Sequence, residues 1–368
     1  MSNFFKVSNS KVKTYRRCRY AYHLKYVEKL RKKVKSRPLT FGELAHSIIE
    51  AHAQGDDPFS VLDNIQPERM RIFEAEREMY GDLINDLRCI LGEYFEHWGE
   101  DSVEYIRLHK RSAEHEFELD VEDGLRITGK IDAFARTPNG LNWLMEHKTF
   151  TTMPNEDQHW RNVQSTLYIR ISEMLGWVNV DGTLWDYIRS KPPAWPQLLK
   201  NGTMSKRGID TLPQRLRAFA KAEGVRIDKS TLESATRNRS RYFQRIFTPT
   251  KPGLIDKVYS DFLETAREMR AAHGRSKAKT IDRHCDWCEY EPICRAELRL
   301  GDVDYIKEKD YEVRENDALP ARGDIVARPP GVRHTPQPKH GRLRAQRNRQ
   351  NNIRLLRPKA TAVSRYSR

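Results

Sequence analysis

The stretch LRITGKIDAFARTPNGLNWLMEHKTF, residues 125–150, constrains the fold more than any other part of the chain. Two runs alternate apolar and polar residues, which is the period of a half-buried strand. Pro138-Asn139-Gly140 sits between them, and a turn of this composition between two such runs marks a β-hairpin. The hairpin carries charge inside its strands. Asp132 is on the first, and Glu146 and Lys148 are on the second at i and i+2, so the latter two share a face. The turn brings Asp132 across from that face. Two facing carboxylates repel, and a divalent cation relieves the repulsion; oxygen ligands of this kind suit Mg²⁺ or Mn²⁺. An adjacent ammonium can hold a water or stabilise an oxyanion. These are the parts that phosphodiester hydrolysis needs. A solvated salt bridge on a charged strand face is the competing reading.

Around the hairpin, strand and helix signals mix. SAEHEFELDV and VDGTLWDYIRS alternate as strands, whereas QHWRNVQSTLYIRISEML returns to the helical period. LTFGELAHSIIEAHAQG predicts a helix stopped at Gly55, and residues 67–98 a long amphipathic helical stretch. The mixture predicts an α/β fold. Near the N-terminus, VSNSKVKTYRRCRYAYHLKYVEKLRKK predicts one helix entered at Ser8 or Ser10. On it Tyr15, Cys18, Tyr22 and Tyr26 share a face, with Lys13, Arg16, Arg17 and Lys25 elsewhere. A solvated basic face explains the latter, and contact with phosphate is the sharper alternative.

The segments divide as follows. Residues 1–37 are a basic N-terminal helix, 38–190 a core, and 191–252 a Pro-, Gly- and Arg-rich inserted subdomain or flap. Residues 253–300 are a helix followed by a cysteine cluster, 301–318 a linker, and 319–368 a basic tail with the composition of disorder. The net charge is +15 and is uneven. Residues 319–368 carry 13 Lys/Arg against Asp324 alone, and residues 11–37 carry 12 against Glu28. Basic segments of this kind bind nucleic acid through counterion release, without sequence choice. No apolar run approaches the roughly 18 residues of a membrane span, and the first residues lack the apolar core of a secretory signal. A reducing, cytoplasmic compartment is expected.

That expectation bears on the cysteines. HCDWCEYEPICRAE places Cys285, Cys288 and Cys294 within ten residues, in a chain that has five cysteines. Clustered cysteines in a reducing compartment favour metal over disulfides. Cys89 is left over as a structural thiol. His284 and His273 are local candidates for a fourth ligand, and structural zinc is one reading of the site.

Further residues complete the constellation. GELAH offers His46 on a helix, and QSTLY offers Gln164 and Tyr168 at i and i+4 on one helix face, where both can bond phosphate oxygens. Together with GKIDAF, LMEHKTF and the pattern Cys18 … Cys285-x2-Cys288-x5-Cys294, these motifs resemble the PD-(D/E)XK nucleases. Within that superfamily they resemble the RecB-like branch with iron–sulfur exonucleases of CRISPR-associated and phage-encoded type. The resemblance covers residues 6–185 and 253–298. Lys130-Ile131 precedes Asp132 here, without the proline of the family's name.

The resemblance implies a restriction-endonuclease-like core, a central mixed β-sheet flanked by helices, and a helical iron–sulfur element joining the two ends of the chain. It implies catalysis by Asp132, Glu146 and Lys148. Mg²⁺ or Mn²⁺ would be held by His46, Asp132, Glu146 and the backbone carbonyl of His147, with Glu116 extending the site. It implies a [4Fe–4S] cluster on Cys18, Cys285, Cys288 and Cys294, Cys18 facing inward with Tyr15 and Tyr22, and DNA contacts from Gln164, Tyr168, Arg16 and Arg17. The expected activity is exonucleolytic cleavage of DNA, on single strands or ends, in phage-type recombination, repair or replication beside a recombinase or helicase. A non-catalytic DNA-binding protein on a nuclease scaffold and an RNA-processing nuclease are the rival readings.

Overall fold

The expected hairpin is the spine of the fold. In a computed structural model of the chain, which describes residues 4–99, 101, 103–155, 159, 162–205, 209–272 and 274–314, strands β5 (Leu125–Arg136) and β6 (Asn142–Phe150) run antiparallel. Gly140 sits at φ 83° in the turn between them, a conformation open mainly to glycine. The turn closes through Gly140 N–H to Thr137 O (2.9 Å) and Thr137 N–H to Leu141 O (3.0 Å).

A seven-stranded mixed sheet forms around this pair. β1 (Phe5–Val7), β5, β6, β7 (Gly182–Arg189) and β8 (Phe243–Pro249) follow in order, while β3 (Glu104–Tyr105) and β4 (Ala113–Glu122) line the other edge of β5. β1 is parallel to the start of β5 and β6 antiparallel to its end, on the same edge. That edge is therefore left open between Ile127, the last partner of β1, and Ala133, the last partner of β6. β8 falls within residues 191–252, so the last part of the expected insertion belongs to the core sheet.

Helices cover both faces. On one, the helices Asn9–Arg17, Val163–Met174 and Pro252–Ala272 pack on Phe117, Ile127, Ile131 and Leu144. On the other, the helices Arg37–Gln54 and Leu83–Trp98 pack with Ile188 and Phe243. β6 and β7 are buried almost end to end, as strands sandwiched between two helical layers are. Cys89 is buried in the second layer, and burial pushes its thiol up to about 12, which fits an inert packing residue.

Three expectations change. The stretch 67–98 is broken at Gly81 (φ 58°) and begins again at Leu83. The N-terminal helix stops at Arg17, because Cys18 is extended (φ −160°, ψ 118°), and resumes at Arg19–Tyr22 before a π-helical turn, His23–Val27. Tyr15, Tyr22 and Tyr26 still pack in sequence, the first pair edge-on and the second tilted, with centroids 5.3 Å apart at each step. The extended residue turns Cys18 away from them, into a separate cluster with Tyr20, Leu24, Tyr290 and Ile293. The expected linker 301–318 contains a helix, Val303–Asp310, and a strand β9 (Tyr311–Val313), which pairs with β2 (Leu30–Lys32). Tyr290 reinforces the closure by donating to Leu30 O at 2.7 Å. The tail at 319–368 and His273 lie outside the described residues. Among the described residues no helix is long and apolar enough to cross a membrane.

Candidate metal centre and cysteine cavity

The β5–β6 ladder ends at Ala133↔Met145. The next pair in register is Asp132 and Glu146, at the fork where the two strands part. His147, one residue further along β6, donates its N–H to Asp132 Oδ2 (2.9 Å). The carboxylate thus takes the place of a ladder acceptor and is fixed by the backbone.

On the other side of β5, Glu114 lies opposite Asp132, between the pairs Ala113↔Ala133 and His115↔Ile131. Glu114 has φ 57°, unusual for a residue with a side chain. The twist breaks the alternation of β4, so Ala113, Glu114 and His115 are all buried while Glu116 is exposed. The structure therefore does not bring Glu116 to the carboxylates, and Glu114 stands in the place expected of it. His46, on the Arg37–Gln54 helix, completes the group. Its Nδ1 is 3.7 Å from Glu114 Oε1 and 3.8 Å from Asp132 Oδ2, and the ligand atoms of these three residues all lie within 4.8 Å of one another.

Glu146 is tied on one oxygen and free on the other. Oε1 accepts from Gln164 Nε2 (2.9 Å) and from Lys148 Nζ, whereas Oε2 is buried without a partner. An unsatisfied buried carboxylate oxygen costs more than a hydrogen bond returns, so it marks where a cation fits. Burial, then the charge of Asp132, push the Glu146 carboxyl above its usual range against the pull of Lys148 and His46. Burial opposes the charge on Lys148, but Glu146 and Asp132 outweigh it and hold the ammonium above its ordinary pKa. For His46 burial likewise opposes protonation, and Asp132 and Glu114 outweigh it. Glu114 is held below the usual range: His46 and Lys130 overcome its burial. One imidazole and three carboxylates form an oxygen-rich donor set that fits Mg²⁺ or Mn²⁺.

The DNA-contact candidates separate. Gln164 reaches Glu146 and is itself held by Asn9 Nδ2 at 3.2 Å. Tyr168 is buried, edge-on to Phe117 (5.5 Å), with its hydroxyl over Gly129, where a Cβ would collide with both side chains. It packs against the strand. Arg16 donates to Thr265 Oγ1 (2.8 Å) and to the Asp261 carbonyl. Arg17 faces a different site.

That site is a cavity of about 250 Å³ lined by Cys18, Cys285, Cys288 and Cys294 together with Arg17 and Lys279. Cysteines from the two ends of the folded chain thus share one wall, as the extended Cys18 allows. Burial raises the thiols of Cys288 and Cys294. His284, the local alternative ligand, is exposed and pairs with Asp282 at 3.2 Å.

Sequence reasoning missed Glu114, Asn9 and Asp186. Counting back from the Asp123-Gly124 turn sets His115 against Asp132, and the bulge between Asp120 and Glu122 shifts the register by one to bring Glu114 there. Asp186 is a lone charge in the buried run of β7, which is itself a signal. Asn9 had none.

The solved structure described as "Crystal structure of SSO0001" is similar over 78% of this chain and 96% of its own, at 14% identity and a TM-score of 0.26. No curated protein matches. A family model for the PD-(D/E)XK nuclease superfamily matches residues 6–295, a span that holds the whole carboxylate fork and all four cavity cysteines. The chain belongs to the PD-(D/E)XK nuclease superfamily.

Proposed function

We propose that this chain is a Mg²⁺- or Mn²⁺-dependent DNA exonuclease acting on single strands or DNA ends, in recombination, repair or replication of the phage type. The superfamily hydrolyses phosphodiester bonds with divalent metals. The observation that carries the reading is the fork: Asp132 and Glu146 face each other at the parting of β5 and β6, with Lys148 on Glu146 and one carboxylate oxygen unsatisfied.

Asp132, Glu146, His46 and Glu114 would hold the metal, with the His147 carbonyl as a further ligand. A bound divalent ion supplies a water of lowered pKa and screens the phosphate's charge. Lys148 stays a cation beside Glu146, so its part is to orient the attacking water and stabilise the oxygen charge that develops on phosphorus, not to take a proton. Gln164, clamped by Asn9, keeps Glu146 in position.

The cysteine cavity supports a [4Fe–4S] cluster on Cys18, Cys285, Cys288 and Cys294. Tetrahedral zinc with Zn–S near 2.3 Å needs its sulfurs about 3.8 Å apart. Among the described residues the group with ligand atoms within 4.8 Å of one another is the one at the fork, not the cysteines. A wider cavity suits a larger group than a single ion, and Arg17 and Lys279 on its wall would balance the charge of the thiolates. Either metal would close a loop across almost the whole chain and stabilise the fold.

Incubation of anaerobically purified protein with end-labelled single- and double-stranded DNA in Mg²⁺, Mn²⁺ or EDTA tests the activity. Metal-dependent loss of label from ends supports it. DNA binding without cleavage in either metal would favour the non-catalytic reading, and cleavage of RNA alone would favour the RNA-processing one.

A further inference from the structure

We infer that the groove beside Glu146 binds a single polynucleotide strand, with Lys13 and Arg16 taking its phosphates and one nucleotide seated on an apolar floor. The inference rests on the nuclease reading and adds the form of substrate the site accepts. The groove lies between the helices Asn9–Arg17, Val163–Met174 and Pro252–Ala272 and has a volume of about 400 Å³. Gln164, which holds Glu146, is part of its wall, so one residue joins the groove to the carboxylate fork. Val12, Leu167, Val258 and Phe262 give it an apolar floor.

Asn9, Lys13 and Arg16 recur at i, i+4 and i+7 along one side of the groove. At 1.5 Å per residue this stripe is about 10 Å long, enough for two or three successive phosphates of a strand, at roughly 3.4 Å per nucleotide along a duplex axis and more when extended. Its charge is available. Arg16 is fixed by Thr265 Oγ1 and by the Asp261 carbonyl, both neutral acceptors, so the guanidinium is oriented in advance without being neutralised by a carboxylate. Such preorganisation lowers the cost of binding an anion. Lys13 is exposed and makes no hydrogen bond or ion pair among the described residues. The carboxylate of Asp261 is the one acid among the lining residues.

Size decides between one strand and two. A cleft of about 400 Å³ lies in the range of small-molecule sites, roughly 300–1,000 Å³, which admits one nucleotide and excludes a duplex. The apolar floor favours a sugar or an unstacked base, neither of which a paired helix presents in this way.

The test uses the full chain carrying Glu146→Gln, so that binding is read without cleavage, together with Lys13→Glu, Lys13→Ala or Lys13→Arg. Lys13 is a surface position, so these variants fold. Fluorescence anisotropy is measured with a labelled oligothymidylate and with a labelled duplex over a series of salt concentrations. Lys13→Glu is expected to weaken the single strand about tenfold and to lower the slope of log K against log salt by about 0.7 for each phosphate no longer neutralised. Lys13→Arg should restore binding, and duplex affinity should be unchanged. Unchanged affinity and slope for the oligothymidylate in Lys13→Glu, or an equal weakening on duplex, overturns the inference. Cleavage of the same oligonucleotides by the wild-type chain in Mn²⁺ is read separately. Its absence counts against the nuclease reading, whereas cleavage combined with insensitivity to Lys13→Glu removes the groove alone.

Discussion

Asp186, wholly buried on β7, holds the ring Nδ1 of His147 at 2.8 Å, one strand away and directly behind the fork. The same carboxylate accepts from Tyr94 and from Arg245 Nε (3.1 Å), and Arg245 pairs in turn with Asp101. The network fixes His147, whose backbone N–H fixes Asp132.

Asp186→Ala leaves the His147 ring buried without its acceptor and Arg245 with Asp101 alone. It should destabilise the fold by about 3–5 kcal/mol, measured by urea unfolding. Asp186→Asn keeps the shape and should cost roughly 1–3 kcal/mol. A change of under about half a kcal/mol in both variants, the size ordinary for a surface substitution, would show that the network contributes nothing to stability.

At the fork, Glu146→Gln and Lys148→Ala should each lower the cleavage rate by about 10²–10³-fold while leaving affinity for DNA within a small factor. Near-native cleavage by Glu146→Gln in Mn²⁺ would falsify the assignment of the fork as the active site.

Glu114 and Glu116 differ by two residues and by their place in the fold, so they form a matched pair. Glu114→Gln should weaken Mn²⁺ binding at least tenfold, by analogy with the effect of removing a group beside a metal. Glu116→Gln should leave it unchanged. Titration calorimetry of each variant with Mn²⁺ distinguishes them, and equal effects would remove Glu114 from the site.

The four cavity cysteines should act together. Cys18→Ala should lose as much iron, and as much broad visible absorbance, as Cys288→Ala, whereas Cys89→Ala should lose none. Colourless protein with one equivalent of zinc would replace the cluster by the zinc alternative.

His97 packs edge-on to Trp98 (4.4 Å) and at a tilt to Phe243 (5.6 Å). Burial, then Arg239 and Arg245, hold its pKa below the ordinary 6.5, against Asp101 and Asp186. The folded pKa is depressed, so the unfolded chain binds the extra proton near pH 6, and stability rises with pH until the unfolded pKa is passed. His97→Phe should flatten that rise: more stable than wild type at about pH 5 and close to it at about pH 8, read from thermal midpoints. An unchanged slope would assign the acid sensitivity elsewhere.

The sequence by itself determined what is local. Alternation, the Pro-Asn-Gly turn and the helix caps act over a few residues, so β5, β6 and the shared face of Glu146 and Lys148 were legible before any coordinates. The tertiary structure decided everything that depends on register or on a single unusual backbone angle. Alternation alone places Glu114 and Glu116 on the same face. The positive φ at Glu114 and its pairing opposite Asp132 choose between them. Helical periodicity put Cys18 with Tyr15 and Tyr22, and one extended residue turned it to the far cysteines, because the wheel holds only while the helix does. Gln164 was recognisable as a polar residue on a helix. That its amide clamps Glu146 while Asn9 clamps Gln164 follows from three segments meeting at the open edge of β5, between β1 and β6, and long-range meetings of that kind leave no periodic trace in a sequence.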